Sequence, residues 1–554
     1  MTFVLLLLHA ACGAAILLAG RRLGRMAWLV GAVGPLATVV WLVAERADVA
    51  SKSAVTASRQ WVPALGLTLD LRVDAFAALM IALVSGIGVL VFAYAWSYFG
   101  SSPDTAKAAG LLTLFAGSML GVVVADNLLV LYLFWELTSI TSYLLIGVDD
   151  ADPEARAAAQ HALLVTALGG LVMLGGFVVL GREAGTFTIS ELLADPPTGT
   201  TTAVAGVLIL VGAFTKSAQY PFHSWLPRAM VAPTPISAYL HSAAMVKAGV
   251  YLVARLGPAF AEDGPWRRIV AVVGIGTMIA GGLRALRPYD LKQLLAFGTI
   301  SQLGFMVALL GINHLDATVA GCALLLAHGL FKAPLFMVVG MVDHETHTRD
   351  VREIPPLGPG WGLTKVVAVV SAASMAAVPP LAGFIAKEQA YAALVDGSAE
   401  ERLFLAGIVA GSVLTVAYSL RFVVGSLRPR LVAERAPERD ASVAEHAPSA
   451  AFVAPAAVLA AASVVLGIVP AVWSDFVASA AHALDPRAHG QLELWHGFTA
   501  AFLLSLATLA AGGVLFAQRR RIAVLQARWA PPVTGTQVYD AVVSGTTHLA
   551  ARTT

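Results

Sequence analysis

Cysteine is nearly absent from this chain of 554 residues: Cys12 and Cys322 are the only two, far apart and inside apolar segments. With no CxxC spacing and no histidine set beside them, neither a disulfide framework nor an iron–sulfur or thiolate metal site is expected. Charge is scarce as well. Only 13% of residues are Asp, Glu, Lys or Arg, against about a quarter in soluble domains. The net charge of +2 is carried by short basic clusters at the ends of apolar runs, which excludes the basic stripe or tail of a nucleic-acid binder. No cofactor-binding motif and no dense carboxylate cage is visible, so no cofactor and no metal site is expected. What fills the chain instead is apolar: 58% of its residues are hydrophobic and the mean hydropathy is +0.77.

These residues are arranged in runs. Counting about 20 apolar residues per bilayer crossing predicts an all-α polytopic membrane protein of about fifteen spans. The first run, "TFVLLLLHAACGAAILLAG", lacks a basic leader and is followed by "RRLGR", so a retained helix is expected in place of a cleaved signal peptide. "WVPALGLTLDLRVD", from Trp61 to Asp74, partly alternates apolar with polar residues and reads as an extracytoplasmic β-hairpin. The long polar linker lies around 428–449. Lys and Arg counts predict a multi-pass topology with the N-terminus outside, favouring the cytoplasm by roughly two to one.

Two spans combine a lysine with helix breakers. The seventh, near 202–220, has Lys216 shortly before Pro221; the twelfth, near 362–392, has Pro379, Pro380 and Gly383 just before Lys387. Such interrupted segments in corresponding places point to a transporter site, because unwound backbone frees carbonyls and amides at mid-membrane depth. Their spacing predicts two five-helix repeats, the second inverted, each containing a broken helix. The expected organisation is an N-terminal unit (1–107) of three helices and the hairpin, a first repeat (108–256), a second repeat (266–425), the cytoplasmic linker (428–449) and C-terminal helices (450–554).

Ionisable residues away from span ends are Glu136 in the fifth span, Lys216 in the seventh, His241 and Lys247 in the eighth, His328 and Lys332 in the eleventh and Lys387 in the twelfth. Inserting one carboxylate and four lysines as isolated charges costs about 12–17 kcal/mol on insertion scales, comparable with the stability of a whole domain. Four have a plainer reading: Glu136 as a packing device, Lys247 snorkelling to the interface, His241 and His328 as neutral hydrogen-bonded rings. As a set they suit a proton path. Desolvation makes a lysine's proton affinity switchable, and a nearby carboxylate switches it back.

"FWELTSITSYLLIG", "TKSAQYPFHSWLPRAM", "LAHGLFKAPLF" and "PPLAGFIAKEQ" together resemble the antiporter-like subunits shared by respiratory complex I, membrane-bound hydrogenases and the Mrp sodium/proton antiporters. Features of the large Mrp A-type subunits are carried by "PFHSWLPRAM", by "MVKAG" around Lys247 and by "HETHTRD". The resemblance implies a carboxylate–lysine pair at Glu136 and Lys216, a central proton relay at His241, Lys247, His328 and Lys332, and a second-repeat lysine at Lys387. It also implies partners, namely the other membrane subunits of a multisubunit antiporter in a bacterial cytoplasmic membrane, exchanging protons for a monovalent cation, sodium by expectation. A-type chains of the family continue past the fifteenth span, whereas this chain ends "VSGTTHLAARTT", so a split gene or a stretch of a longer polypeptide is expected. Two rival readings use the same motifs: a proton-pumping subunit of a redox complex, and a membrane subunit energising inorganic carbon uptake.

Overall fold

The computed structural model describes residues 1–46, 54–62, 67–100, 102, 104–260, 265–427, 446–528 and positions 537, 539, 541, 544 and 545. In chain order the longer helices are α1 (Thr2–Ala19), α2 (Met26–Ala44), α3 (Ala75–Phe99, with a π turn at Ala82–Gly86), α4 (Thr105–Val124), α5 (Leu128–Ile146), α6 (Pro153–Ala184) and α7 (Thr200–Lys216). They continue with α8 (Thr234–Ser242), α9 (Lys247–Leu256), α10 (Trp266–Ala285), α11 (Leu291–Gly311), α12 (Leu315–Thr346), α13 (Gly362–Ala376) and α14 (Ala382–Val395). The last are α15 (Ala399–Leu427), α16 (Ala450–Ile468), α17 (Ala471–His482), α18 (Ala500–Ala517) and α19 (Arg519–Arg528).

Among the described residues 13 helical segments are long and apolar enough to cross a membrane, α8 and α9 counting as one, with α7 as a shorter apolar helix. The seventh and twelfth expected spans are missing from the 13 because α7 is short and the twelfth is divided into α13 and α14. Several starts are written in the sequence. Asn127 caps α5 by accepting from Leu129 N, Asp152 caps α6 through Glu154 N, and Asp290 caps α11 through Lys292 N and Gln293 N, each satisfying amides that a helix cannot satisfy itself.

Burial sorts the helices. α4, α9, α11 and most of α12 are buried on every side, whereas α6 turns Leu164, Leu168 and Leu171 outward and α18 exposes Leu503, Leu506 and Val514. Outward apolar residues of this kind meet lipid at no cost, while the backbone stays bonded within each helix. Packing brings some helices into close approach: a Cβ on Gly169 of α6 would overlap Thr215 of α7.

Three expectations need correction. The hairpin pairs β1 (Val55–Val62) with β2 (Leu67–Val73), with Val55 opposite Val73 and Arg59 opposite Leu69, so it begins earlier than Trp61. Its first strand is polar and mostly exposed, and the alternation that marks a half-buried strand is therefore weak. The eighth span is two helices, α8 and α9, separated at Ala243–Val246. Finally, α17 lies between the two expected C-terminal spans, where no helix was foreseen. The linker at 428–449 falls largely outside the described residues.

Candidate functional site

Glu136 lies on α5, half-buried, with its Oε1 buried and without a hydrogen-bond partner. The carboxylate sits over α6, where a Cβ on Gly170 would overlap Oε1; the glycine makes the room. Lys216 is the last residue of α7, and its side chain reaches across to the middle of α5. Its Nζ donates to Ser139 Oγ at 2.7 Å and to the Trp135 carbonyl at 3.2 Å, and lies 5.1 Å from the centre of the Trp135 ring. Glu136 and Lys216 feel each other's charge. No ion pair within 4.0 Å joins them among the described residues, because Lys216 is held by the backbone and hydroxyl of α5 and not by its carboxylate.

From there polar contacts run across the bundle. Ser217, next after Lys216, donates its hydroxyl to the Val246 carbonyl at 2.7 Å, and Val246 directly precedes Lys247, which opens α9. Lys247 Nζ donates to the Leu325 carbonyl of α12 at 2.9 Å, one turn before His328. His328 and Lys332 share a face of α12, four residues apart. Neither ring nitrogen of His328 has a partner, and Lys332 Nζ finds only the Met375 thioether of α13 at 3.8 Å. Met375 adjoins Ala376, the last residue of α13, whose carbonyl accepts from Lys387 Nζ of α14 at 3.2 Å. His241 stands beside this line on α8, near Trp225 and Phe336, with Nδ1 unpartnered and within electrostatic range of Lys332 and Lys292.

The structure thus sets the four lysines in a row across the bundle, each resting on a backbone carbonyl, a hydroxyl or a sulfur, while Glu136 and His328 lie beside the row without hydrogen bonds to it and His241 stands apart. Neutral acceptors of this kind hold a proton-carrying ammonium without fixing its charge, which is what a transferable proton needs. A cavity of about 370 Å³, lined by Glu154, His223, Arg228, Arg284, Gln293 and Arg349, lies beside the loop that follows Lys216. Another of about 510 Å³, reached by Ala254, Leu310, Asn313 and Thr318, lies at the opposite end of α11. Among the described residues no group of three or more His, Cys, Asp or Glu side chains is placed to hold a metal ion.

Several buried charges were missed. Lys292 of α11 donates to the Met230 carbonyl at 3.0 Å; the Asp–Leu–Lys start of its span made it look like a boundary residue. Glu388 adjoins Lys387 and is 2% exposed, with both carboxylate oxygens unpartnered. Arg255 near the end of α9 makes a bidentate ion pair with Asp74, at 2.6 and 2.9 Å. Asp74 also caps α3 through Ala77 N at 2.9 Å. It lies before the apolar span; burial raises its carboxyl pKa, but the Arg255 and Arg72 charges and the hydrogen bonds outweigh this and hold it below the usual carboxylate range.

Comparison with known proteins follows the same residues. Residues 125–415 match the family described as "NADH:quinone oxidoreductase/Mrp antiporter, TM", and 61–107 match "NADH-Ubiquinone oxidoreductase (complex I), chain 5 N-terminus". The chain is 39% identical to the probable K(+)/H(+) antiporter A/B subunit of Rhizobium meliloti, over 92% of this chain and 51% of that one. It is 37% identical to the Na(+)/H(+) antiporter A-type subunit of Alkalihalophilus pseudofirmus, over 88% of this chain and 64% of that one. It therefore spans between half and two thirds of the length of these relatives. In the Mrp complex from Dietzia sp. DQ12-45-1b, one chain superposes with a TM-score of 0.90 at 37% identity, covering 100% of this chain and 60% of that one. An archaeal membrane-bound sulfane sulfur reductase shares the fold, with a TM-score of 0.76 at 20% identity, covering 87% of this chain and 97% of that one. The matched segment takes in Glu136, Lys216, His241, Lys247, His328, Lys332 and Lys387, and the chain belongs to the NADH:quinone oxidoreductase/Mrp antiporter family of membrane subunits.

Proposed function

We propose that the chain is the proton-translocating part of a multisubunit monovalent cation/proton antiporter of the Mrp type, in which Glu136, Lys216, Lys247, His328, Lys332 and Lys387 carry protons and His241 tunes the centre. The observation that carries this reading is the row of buried lysines, each held by a neutral acceptor of a neighbouring helix, with Ser217, Leu325, Met375 and Ala376 lying between them. Water completes it. On this reading α7, and α13 with α14, are the interrupted helices of two inverted repeats at 108–256 and 266–425, giving fifteen spans in all. With the N-terminus outside, the cavity beside His223 opens to the cytoplasm and the one beside Asn313 to the exterior, so that each serves as the mouth of a half-channel. The relatives are named for sodium in one case and potassium in another; sodium is our expectation.

Reconstitution of the assembled complex into proteoliposomes, with proton efflux recorded on adding Na+ or K+, tests the reading. Cation-dependent efflux that needs this chain is expected. Pumping that requires a reductant and a quinone, with no response to cations, overturns it. The polypeptide alone is expected to give no robust Na+-dependent efflux, and observing such efflux removes the need for partners.

A further inference from the structure

α18 stands at the lipid edge, and only four of its residues are buried: Ala501, Ser505, Thr508 and Gly512. These recur at helical spacing and form one inward stripe. Opposite it runs a stripe of α14. Phe384 meets Phe502 ring to ring at 6.4 Å, and the Tyr391 hydroxyl lies 3.2 Å from Thr508 Oγ1. Glu388 is four residues after Phe384 and three before Tyr391, so it shares their face of α14. Ser505 likewise lies midway between Phe502 and Thr508 on α18. The two contacts therefore bracket Glu388 against Ser505. Ser412 of α15 adjoins the same Tyr391 hydroxyl and closes the third side.

Burial without partners marks this place. Glu388 is 2% exposed, Ser412 0% and Ser505 3%. Among the described residues both Glu388 oxygens and Ser505 Oγ have no hydrogen-bond partner. Thr508 donates to the Leu504 carbonyl at 2.7 Å, which leaves its oxygen as an acceptor facing the Tyr391 hydroxyl. Lys387, although adjacent in sequence, is engaged elsewhere with the Ala376 carbonyl. A buried carboxylate left unpaired is costly. Hydroxyls alone serve helix packing in membranes, but packing gives no reason for a carboxylate among them.

We propose that Glu388, Ser412, Ser505, Thr508 and Tyr391 form a binding site for a monovalent alkali cation between α14, α15 and α18. Every donor is oxygen, the ligand type that hard cations take. The site carries one negative charge, which matches one positive charge; divalent cations would leave an uncompensated charge in an apolar surround. Its place one residue from Lys387 lets cation occupancy and the lysine's proton repel each other through a shared helix, the coupling an antiporter requires. That use rests on the antiport reading; the binding does not.

The test measures equilibrium binding of radiolabelled Na+, and of Rb+ as a K+ surrogate, to the purified assembled complex, with choline as the inert control. Saturable binding is expected in the unmodified protein, with at least a ten-fold loss of affinity in Glu388→Gln and a several-fold loss in Ser505→Ala. Ser505→Ala leaves all charges in place and reports on the site even if the carboxamide variant assembles poorly. Binding that survives unchanged in either variant overturns the proposal, as does the absence of saturable binding in the unmodified complex. Loss of antiport with binding intact overturns it too, since Glu388 would then act on protons alone. A complex that binds Na+ at this site yet shows no cation-driven proton flux upholds the site and refutes the antiport reading.

Discussion

Two sets of buried charge in this molecule are built in opposite ways. Arg255 and Asp74 form a bidentate pair, with Arg255 Nε donating to the Tyr251 hydroxyl at 3.3 Å and the Phe76 and Tyr251 rings lying against the guanidinium. Lys216, Lys247, Lys332 and Lys387 have no carboxylate within ion-pairing distance among the described residues; they rest on carbonyls, one hydroxyl and one thioether. A fully paired buried charge holds a structure together, and removing one member is strongly destabilising because the other is stranded. An underpaired lysine strains the structure by being charged, so its removal is expected to relieve the fold. The contrast separates a tie between the hairpin end of α3 and the end of α9 from the row of lysines for which we propose proton transfer.

The comparison breaks most visibly at Asp74. Asp74→Asn is expected to cost about 3–5 kcal/mol of stability, read as loss of assembled complex and a lower thermal midpoint, with the turnover of the surviving complex little changed. The pH dependence has a definite sign. Because the folded carboxyl is held below its usual range, the pair's contribution is fully present above the ordinary carboxylate pKa of about 4 and is lost as pH falls through the lower folded value. Acid unfolding of the unmodified complex, compared with Asp74→Asn, checks it: the difference in stability should shrink toward low pH.

Lys387→Ala should do the reverse, lowering antiport on the order of 100-fold while assembly and thermal midpoint hold or rise. Failure to assemble would place Lys387 with the structural charges. Next comes Glu136→Gln, expected to reduce antiport by more than about ten-fold, one ten-fold step being about 1.4 kcal/mol, whereas Glu136→Asp keeps the charge and part of the activity. Equal activity of the two, near that of the unmodified protein, would make the carboxylate a spacer. Smallest is Gly170→Ala. Its new methyl overlaps Glu136 Oε1, and overpacking of this sort costs about 1–3 kcal/mol, so it should displace the carboxylate and lower antiport less than its neutralisation does, measured in the same flux assay.

The line of lysines was legible because charge inside a long apolar run is visible without any partner being known. The interruptions near Pro221 and Pro379 were legible for a similar reason, since proline lacks the amide a helix needs. The break at Ala243–Val246 was not. It contains neither glycine nor proline and arises from tertiary bonding, with Val246 N reaching back to the Leu240 carbonyl while the Val246 carbonyl accepts from Ser217. Glu388 was passed over because Lys387 beside it drew the reading, and neighbours on a helix point about 100° apart. Arg255 and Lys292, near span ends, looked like interfacial charges until their burial was seen.

By itself, then, the sequence determined that the chain crosses a membrane many times, where helix breakers sit beside lysines and which residues carry charge where lipid would otherwise surround them. These follow from composition and local backbone chemistry, whose energies are large and belong to single residues. Which charges are paired, which acceptor each lysine meets and that Glu388 is buried without a partner were decided by the packing of helices far apart in sequence. Pairing is a property of distance between side chains, and no local propensity encodes it.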